Sequence, residues 1–186
     1  MSTWKTVRSS YVHENPWYKV RRDEVVRPDG EAGEYFVVED QPAVFIVPES
    51  ADKKILLVKL HRYPTDRAGW EIPAGSVEES EPPLLAAQRE LQEETGYTAD
   101  SWHNIGSFAI ANGMSTGIGE TFVARRLVVT DQHEQAEEGI TDAAFFSVPE
   151  IMELITDNQL VDGPSMTALF KYLVWNKRLQ SEVNHG

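Results

Sequence analysis

The chain has 186 residues, no cysteine and a formal charge of −13, from 17 Lys and Arg against 30 Asp and Glu. This length suits one domain with a small appendage, and a core that size needs no disulfide or thiolate–metal staple. The acidity argues against nucleic-acid partners, no apolar run approaches the ~20 residues that cross a bilayer, and the N-terminus lacks a secretory pattern, so a soluble, cytoplasmic protein is expected.

The first forty residues read as strands and turns: Trp17–Val26, the turn Arg27-Pro-Asp-Gly30, and Glu34–Val38. Glu39-Asp-Gln-Pro42 breaks the pattern and is the expected domain junction, dividing 1–40 from 41–182. Ala43–Val47 and Lys54–Leu60 then predict a hairpin around Pro48–Asp52. His61–Gly69 predicts a polar loop and Trp70–Pro73 a short extended piece. Pro82–Thr95 predicts a helix with Leu84, Ala87 and Leu91 on one face and Gly96 as its left-handed cap. Strands are expected at about Trp102–Ala111, Thr121–Thr130 and Ala143–Ser147. Ser147-Val-Pro-Glu150 predicts a capping box opening a helix to about Thr156. A last helix, about Pro164 to Leu179, is expected to bury Met166, Leu169, Phe170 and Leu173. This mixed order predicts an α/β sandwich.

The negative charge is local. Glu71–Tyr97 holds seven acids and one base, Asp131–Asp142 holds five acids and no Lys or Arg, and only −2 is left for the other residues. Within the first stretch Glu90 and Glu94 stand at i, i+4 on one helix face, with Glu93 beside them. Like charges at that spacing cost a few tenths of a kcal/mol, so something should offset them. Arg89 at i, i+4 from Glu93 can offset one acid, and a divalent cation can offset the other two; the alternative is a surface helix with Glu–Arg pairing. Ligation by oxygen alone points to Mg²⁺ or Mn²⁺ and away from zinc.

The same stretch resembles the Nudix box, Gly-x5-Glu-x7-Arg-Glu-U-x-Glu-Glu-x-Gly-U, where U is a bulky aliphatic. Gly75, Glu81, Arg89, Glu90, Leu91, Glu93, Glu94, Gly96 and Tyr97 fill every position, and Tyr97 is the one loose match. With the strands and helix around it, the resemblance spans about Ala43 to Asn176. It implies a Nudix-type α/β/α sandwich with a mixed sheet, plus a small N-terminal antiparallel β extension. It also implies Mg²⁺-dependent hydrolysis of a diphosphate linked to a nucleoside, with Glu90 and Glu94 as ligands, Arg89 and Glu93 orienting them, and the Ala74 carbonyl as backbone ligand.

Trp70-Glu-Ile-Pro-Ala-Gly75, preceded by Arg62, resembles the ADP-ribose and ADP-sugar pyrophosphatase branch. That likeness implies a nucleoside diphosphate-sugar substrate and a homodimer built through the N-terminal strands. Arg62 and Glu71 are then substrate-binding candidates. Trp70 either stacks on a purine or is a core residue. Gly113 remains where the branch has Pro-Gly, but Asn112 replaces the proline, which leaves other ADP-sugars and GDP-sugars open; a dinucleoside polyphosphate or a nucleoside triphosphate is the rival substrate within the family. A loop glutamate supplies a ligand or the base in this branch. Glu138 is the first choice here and Glu137 the alternative. A non-catalytic ligand sensor of the same fold is the rival of another class, and the complete box argues against it.

Overall fold

The computed structural model describes residues 3–130 and 132–183, with side chains described as far as residue 177; Asp131 of the second acidic stretch lies outside them. Among the described residues no helix is long and apolar enough to cross a membrane. The chain divides into two compact units. One holds the residues up to Pro42 together with Ala109–Ile118. The other holds Ala43–Phe108 and the chain from Gly119 onward.

The first unit is an antiparallel meander of β1 (Lys5–Glu14), β2 (Tyr18–Val26) and β3 (Ala32–Asp40). Asn15 turns the chain after β1 by accepting the Trp17 and Tyr18 N–H groups on its side chain. Between β2 and β3, Gly30 takes the left-handed conformation that the Arg27-Pro-Asp-Gly30 pattern predicts. The segment Ala109–Ile118 joins this unit from far along the sequence. The Val38 N–H bonds to the Met114 carbonyl and the Thr116 N–H to the Val38 carbonyl. β1 is exposed along its whole length, and Trp17, Val7 and Val12 lie open to solvent.

The second unit is built on a seven-stranded mixed sheet. Its main order is β10 (Ile140–Phe146), β5 (Ile55–Arg62), β4 (Ala43–Glu49), β9 (Ile118–Val129), β8 (Tyr97–Ala109). β6 (Arg67–Glu71) pairs with β5, and β7 (Ala74–Ser76) pairs with β4. The apolar run of β4 is buried on both faces, as suits a strand with a parallel neighbour: it runs parallel to β9 from Ala43↔Gly119 to Glu49↔Arg125. The expected β4–β5 hairpin is therefore only a corner, paired at Glu49↔Ile55, because β7 and β9 occupy the β4 backbone.

Helices cover the sheet. Val44 and Ile46 pack with Ala86, Ala87 and Leu91 of α1 (Pro83–Thr95). The small residues Ala86 and Ala87 let α1 lie close on β4. Residues of the opposite parity on β4 face the other way, and there Glu49 meets Tyr172 of α3 (Gly163–Val183). α2 (Val148–Thr156) opens on the predicted capping box, Ser147 with Glu150. Two helix faces differ from expectation. Leu84 is exposed, because α1 buries Ala86, Ala87, Glu90, Leu91 and Glu94. Among the described side chains of α3 the buried ones are Ser165, Ala168, Leu169 and Tyr172; Phe170 is 68% exposed and Leu173 also faces out.

Glu49 is a buried charge, 1% exposed, at the end of β4. It accepts from Lys53 Nζ at 2.6 Å, Arg125 Nη2 at 2.8 Å and the Tyr172 hydroxyl at 2.8 Å. Burial pushes its carboxyl up, but the three donors together hold it below the usual carboxylate range. Replacing Glu49 by Ala strands Arg125 and should cost about 3 kcal/mol in urea unfolding at neutral pH. The folded value is lowered, so this stabilisation is complete above the unfolded carboxylate range and fades as pH falls through the folded value. The gap between wild type and variant should therefore shrink in acid; a variant as stable as wild type at pH 7 contradicts the reading.

Candidate active site

Prolines 82 and 83 open α1 where a missing N–H costs nothing, and Gly96 closes it in the left-handed conformation, its N–H on the Gln92 carbonyl. The helix thus presents residues 90 and 94 to β7. Glu90 and Glu94 are 7% and 5% exposed, low for carboxylates. Glu94 Oε2 accepts the Ala74 N–H at 3.1 Å, which brings the strand that carries the box glycine onto the helix. Gly75 leaves room for Glu90: a Cβ there would lie 2.0 Å from the Glu90 carboxyl carbon.

Arg89 does more than its spacing to Glu93 predicts. Its guanidinium donates to Glu90 at 2.7 Å, Glu93 at 3.0 Å, both oxygens of Glu81 at 3.1 and 3.2 Å, and the Ser76 carbonyl at 3.0 Å. Three acids and the end of β7 are thereby locked to one cation, and the Arg89 pKa rises further above its ordinary value, chiefly through Glu81. Glu81, a box position without an assigned role in the sequence reading, is the outer arm of this clamp.

The carboxylates are primed for a cation. Burial, then the Glu90 charge, push the Glu94 carboxyl up to about 8 against the Ala74 N–H; the Glu138 charge adds to the rise. Glu90 is raised as well, by burial before any charge, although Arg89 pulls it down. Two desolvated acids beside a glycine-cleared cradle, with only oxygen donors, fit a hard divalent ion. Among the described residues no group of three or more His, Asp or Glu side chains converges as a metal-binding set. Glu138 lies with Glu137 in an exposed turn, and its charge raises both carboxyls of the pair.

Arg62 and Glu71 stand together on β5 and β6. Arg62 Nε and Nη2 meet the Glu71 carboxylate at 3.1 and 2.7 Å, and the Arg62 charge also reaches Glu94. They line a cleft of about 320 Å³ with Trp70, Arg67 and Asp162, the lower end of ligand-pocket size. Trp70 is buried, its ring edge-on to Phe146 with centroids 4.8 Å apart, as in the core alternative. The connection before α3 and the first turn of α3 fix this wall: the Trp70 N–H bonds to the Gln159 carbonyl, and the buried Ser165 hydroxyl accepts the Ile72 N–H at 3.1 Å. Neither Gln159 nor Ser165 has a sequence signal, since each works through a partner some ninety residues away. Gly113 lies in the other unit, where its carbonyl accepts the Tyr35 hydroxyl at 2.6 Å.

Comparisons with known proteins agree with this arrangement. The NUDIX domain matches residues 39–169, and the nucleoside diphosphate sugar hydrolase N-terminal domain matches residues 4–38. An "ADP-ribose pyrophosphatase" of Bacillus subtilis (strain 168) is 29% identical over 96% of both chains. A "methanol dehydrogenase activator" of Bacillus methanolicus is 28% identical over 97% of this chain and 96% of that one. A crystal structure of an "ADP compounds hydrolase" superposes over 95% of both chains with a TM-score of 0.84 at 20% identity, a likeness of fold. With a family match over most of its length and the buried carboxylate pair of the box in place, the chain belongs to the NUDIX domain family.

Proposed function

We propose that this Nudix hydrolase is a Mg²⁺-dependent pyrophosphatase of a nucleoside diphosphate sugar, ADP-ribose first, which it cleaves to AMP and ribose 5-phosphate. The observation that supports it most is the buried Glu90–Glu94 pair in the Gly75 cradle, beside a cleft bearing Arg62. The printed activity of the Bacillus subtilis relative supports the substrate class. Glu90, Glu94 and the Ala74 carbonyl are assigned to hold the metal, with Mn²⁺ as the other candidate. When bound, the ion neutralises the diphosphate and activates water. Arg89 and Glu93 orient the carboxylates, and Arg62, aimed by Glu71, offers its guanidinium to a phosphate. We assign Glu138, with Glu137 as its alternative, to take the proton from the attacking water.

Arg62→Ala should raise KM for ADP-ribose about tenfold, the worth of one charge-assisted contact. Steady-state kinetics that leave KM unchanged remove Arg62 from the substrate. A panel of ADP-ribose, ADP-glucose, GDP-mannose, diadenosine polyphosphates and ATP with Mg²⁺ tests the substrate class. An ADP-sugar should have the highest kcat/KM; a clear preference for GDP-mannose or a dinucleoside polyphosphate contradicts the reading.

The N-terminal unit is assigned to a homodimer interface. Its sheet exposes β1 throughout and Trp17 at 76%, more apolar surface than a small isolated sheet should leave open. Gel filtration should give a mass near twice 21.0 kDa, and a monomer overturns this part.

A further inference from the structure

The acidic segment that carries Glu138 is fastened to the carbonyl end of α1. The last carbonyls of a helix have no donor within it. Here the Glu134 N–H takes the Glu93 carbonyl at 2.8 Å, and Gln135 Nε2 takes the Glu94 carbonyl at 2.9 Å. From this anchor the chain makes one tight turn. The Glu137 and Glu138 N–H groups both return to the Glu134 carbonyl, at 2.8 and 3.1 Å, and Gly139 adopts a positive φ. The Ile140 N–H closes the turn on the Gln135 carbonyl at 2.9 Å, and Ile140 then pairs with Leu60 on β5. Gln135 thus holds the turn at both ends, its side chain to the helix and its backbone to the start of β10. The Glu134 contact is a backbone bond open to any residue but proline; the Gln135 contact requires a side-chain donor. It also falls on the carbonyl of Glu94, the residue whose carboxylate sits in the metal cradle.

We propose that Gln135 is a positioning residue: by capping the Glu94 carbonyl it holds the Glu134–Gly139 turn where Glu138 serves the Glu90–Glu94 pair. This rests on the assignment of Glu138 given above. The coupling is mechanical, a side-chain amide between the helix that bears the carboxylates and the turn that bears the base, and no titration is involved.

The test compares the full chain as wild type, Gln135→Ala, Gln135→Glu (similar shape, no donor), Glu138→Gln, and the Gln135→Ala/Glu138→Gln double variant. Hydrolysis of ADP-ribose with Mg²⁺ gives kcat and KM, and amide hydrogen exchange on metal-free protein follows residues 134–140. Both Gln135 variants should lower kcat at least tenfold with KM within twofold. Gln135→Ala should add less than a twofold loss to Glu138→Gln, because a residue that acts through Glu138 has nothing further to lose. The turn amides should exchange at least tenfold faster in Gln135→Ala, while α1 keeps its protection. Wild-type kcat in Gln135→Ala beside a slow Glu138→Gln overturns the positioning role. So do losses that multiply in the double variant, or unchanged exchange. Wild-type kcat in Glu138→Gln instead overturns the Glu138 assignment itself, a distinct result.

Discussion

Glu94→Gln should lower kcat by at least three orders of magnitude and leave the fold intact. The carboxylate it removes is the more deeply buried of the two assigned to the ion, and ion catalysis is worth several kcal/mol, with each ~1.4 kcal/mol a factor of ten. Folding should even gain in metal-free protein at high pH. Burial first, and the Glu90 charge second, raise the Glu94 pKa to about 8 in the folded state. Between the unfolded carboxylate range and that value the folded chain therefore binds a proton that the unfolded chain has released. Stability is present in acid and lost as pH rises through 8. Melting curves in chelator at pH 5 and pH 9 check this. Wild type should lose stability between the two, and Glu94→Gln should lose less and melt above wild type at pH 9. Parallel curves contradict the burial argument, and near-normal turnover contradicts the metal assignment.

Gly75→Ala should be the second most damaging change, although it adds one methyl group. Its Cβ would stand 2.0 Å from both Cδ and Oε1 of Glu90. Gly75 is paired to Val44 in the β4–β7 ladder, so the strand cannot simply withdraw, and Arg89 holds the same Glu90 oxygen that the added Cβ would meet. The Glu90 carboxylate must leave its place. A displacement of about 1 Å in such a site costs on the order of 100-fold in rate. Activity assays should show at least that loss while circular dichroism shows a folded protein; kcat within threefold of wild type means that Glu90 has slack the structure does not show.

The chemistry of this site was legible because its central residues lie on one local element. The i, i+4 spacing of Glu90 and Glu94 survives into the fold unchanged, and so does the Gly96 cap. The Pro82–Pro83 start also appears as read. What the sequence did not show was contact between distant segments. The β4–β5 hairpin read from two neighbouring apolar runs is a single paired corner, because the backbone of β4 is claimed by β7 and by parallel β9. Leu84 and Phe170 counted as apolar positions yet face solvent, since periodicity marks a stripe but not where its edge falls. Arg89 was paired with one acid by spacing and meets three, two of them reached by its own side-chain length and by the fold of residues 76–81. Gln135 and Ser165 carry no pattern at all; each matters only because a backbone group from another segment arrives beside it.

The Glu90–Glu94 pair is proposed to serve magnesium-dependent cleavage of a nucleoside diphosphate sugar. AMP release from ADP-ribose by wild type and Glu94→Gln, each with Mg²⁺ and with chelator, measures it most directly. Wild type should form AMP and ribose 5-phosphate in equal amounts with Mg²⁺ and stop in chelator, and Glu94→Gln should be slower by at least 1,000-fold in the same buffer, the loss expected for several kcal/mol of ion catalysis. Wild-type turnover that persists in chelator, or that is the same in the variant, contradicts the account.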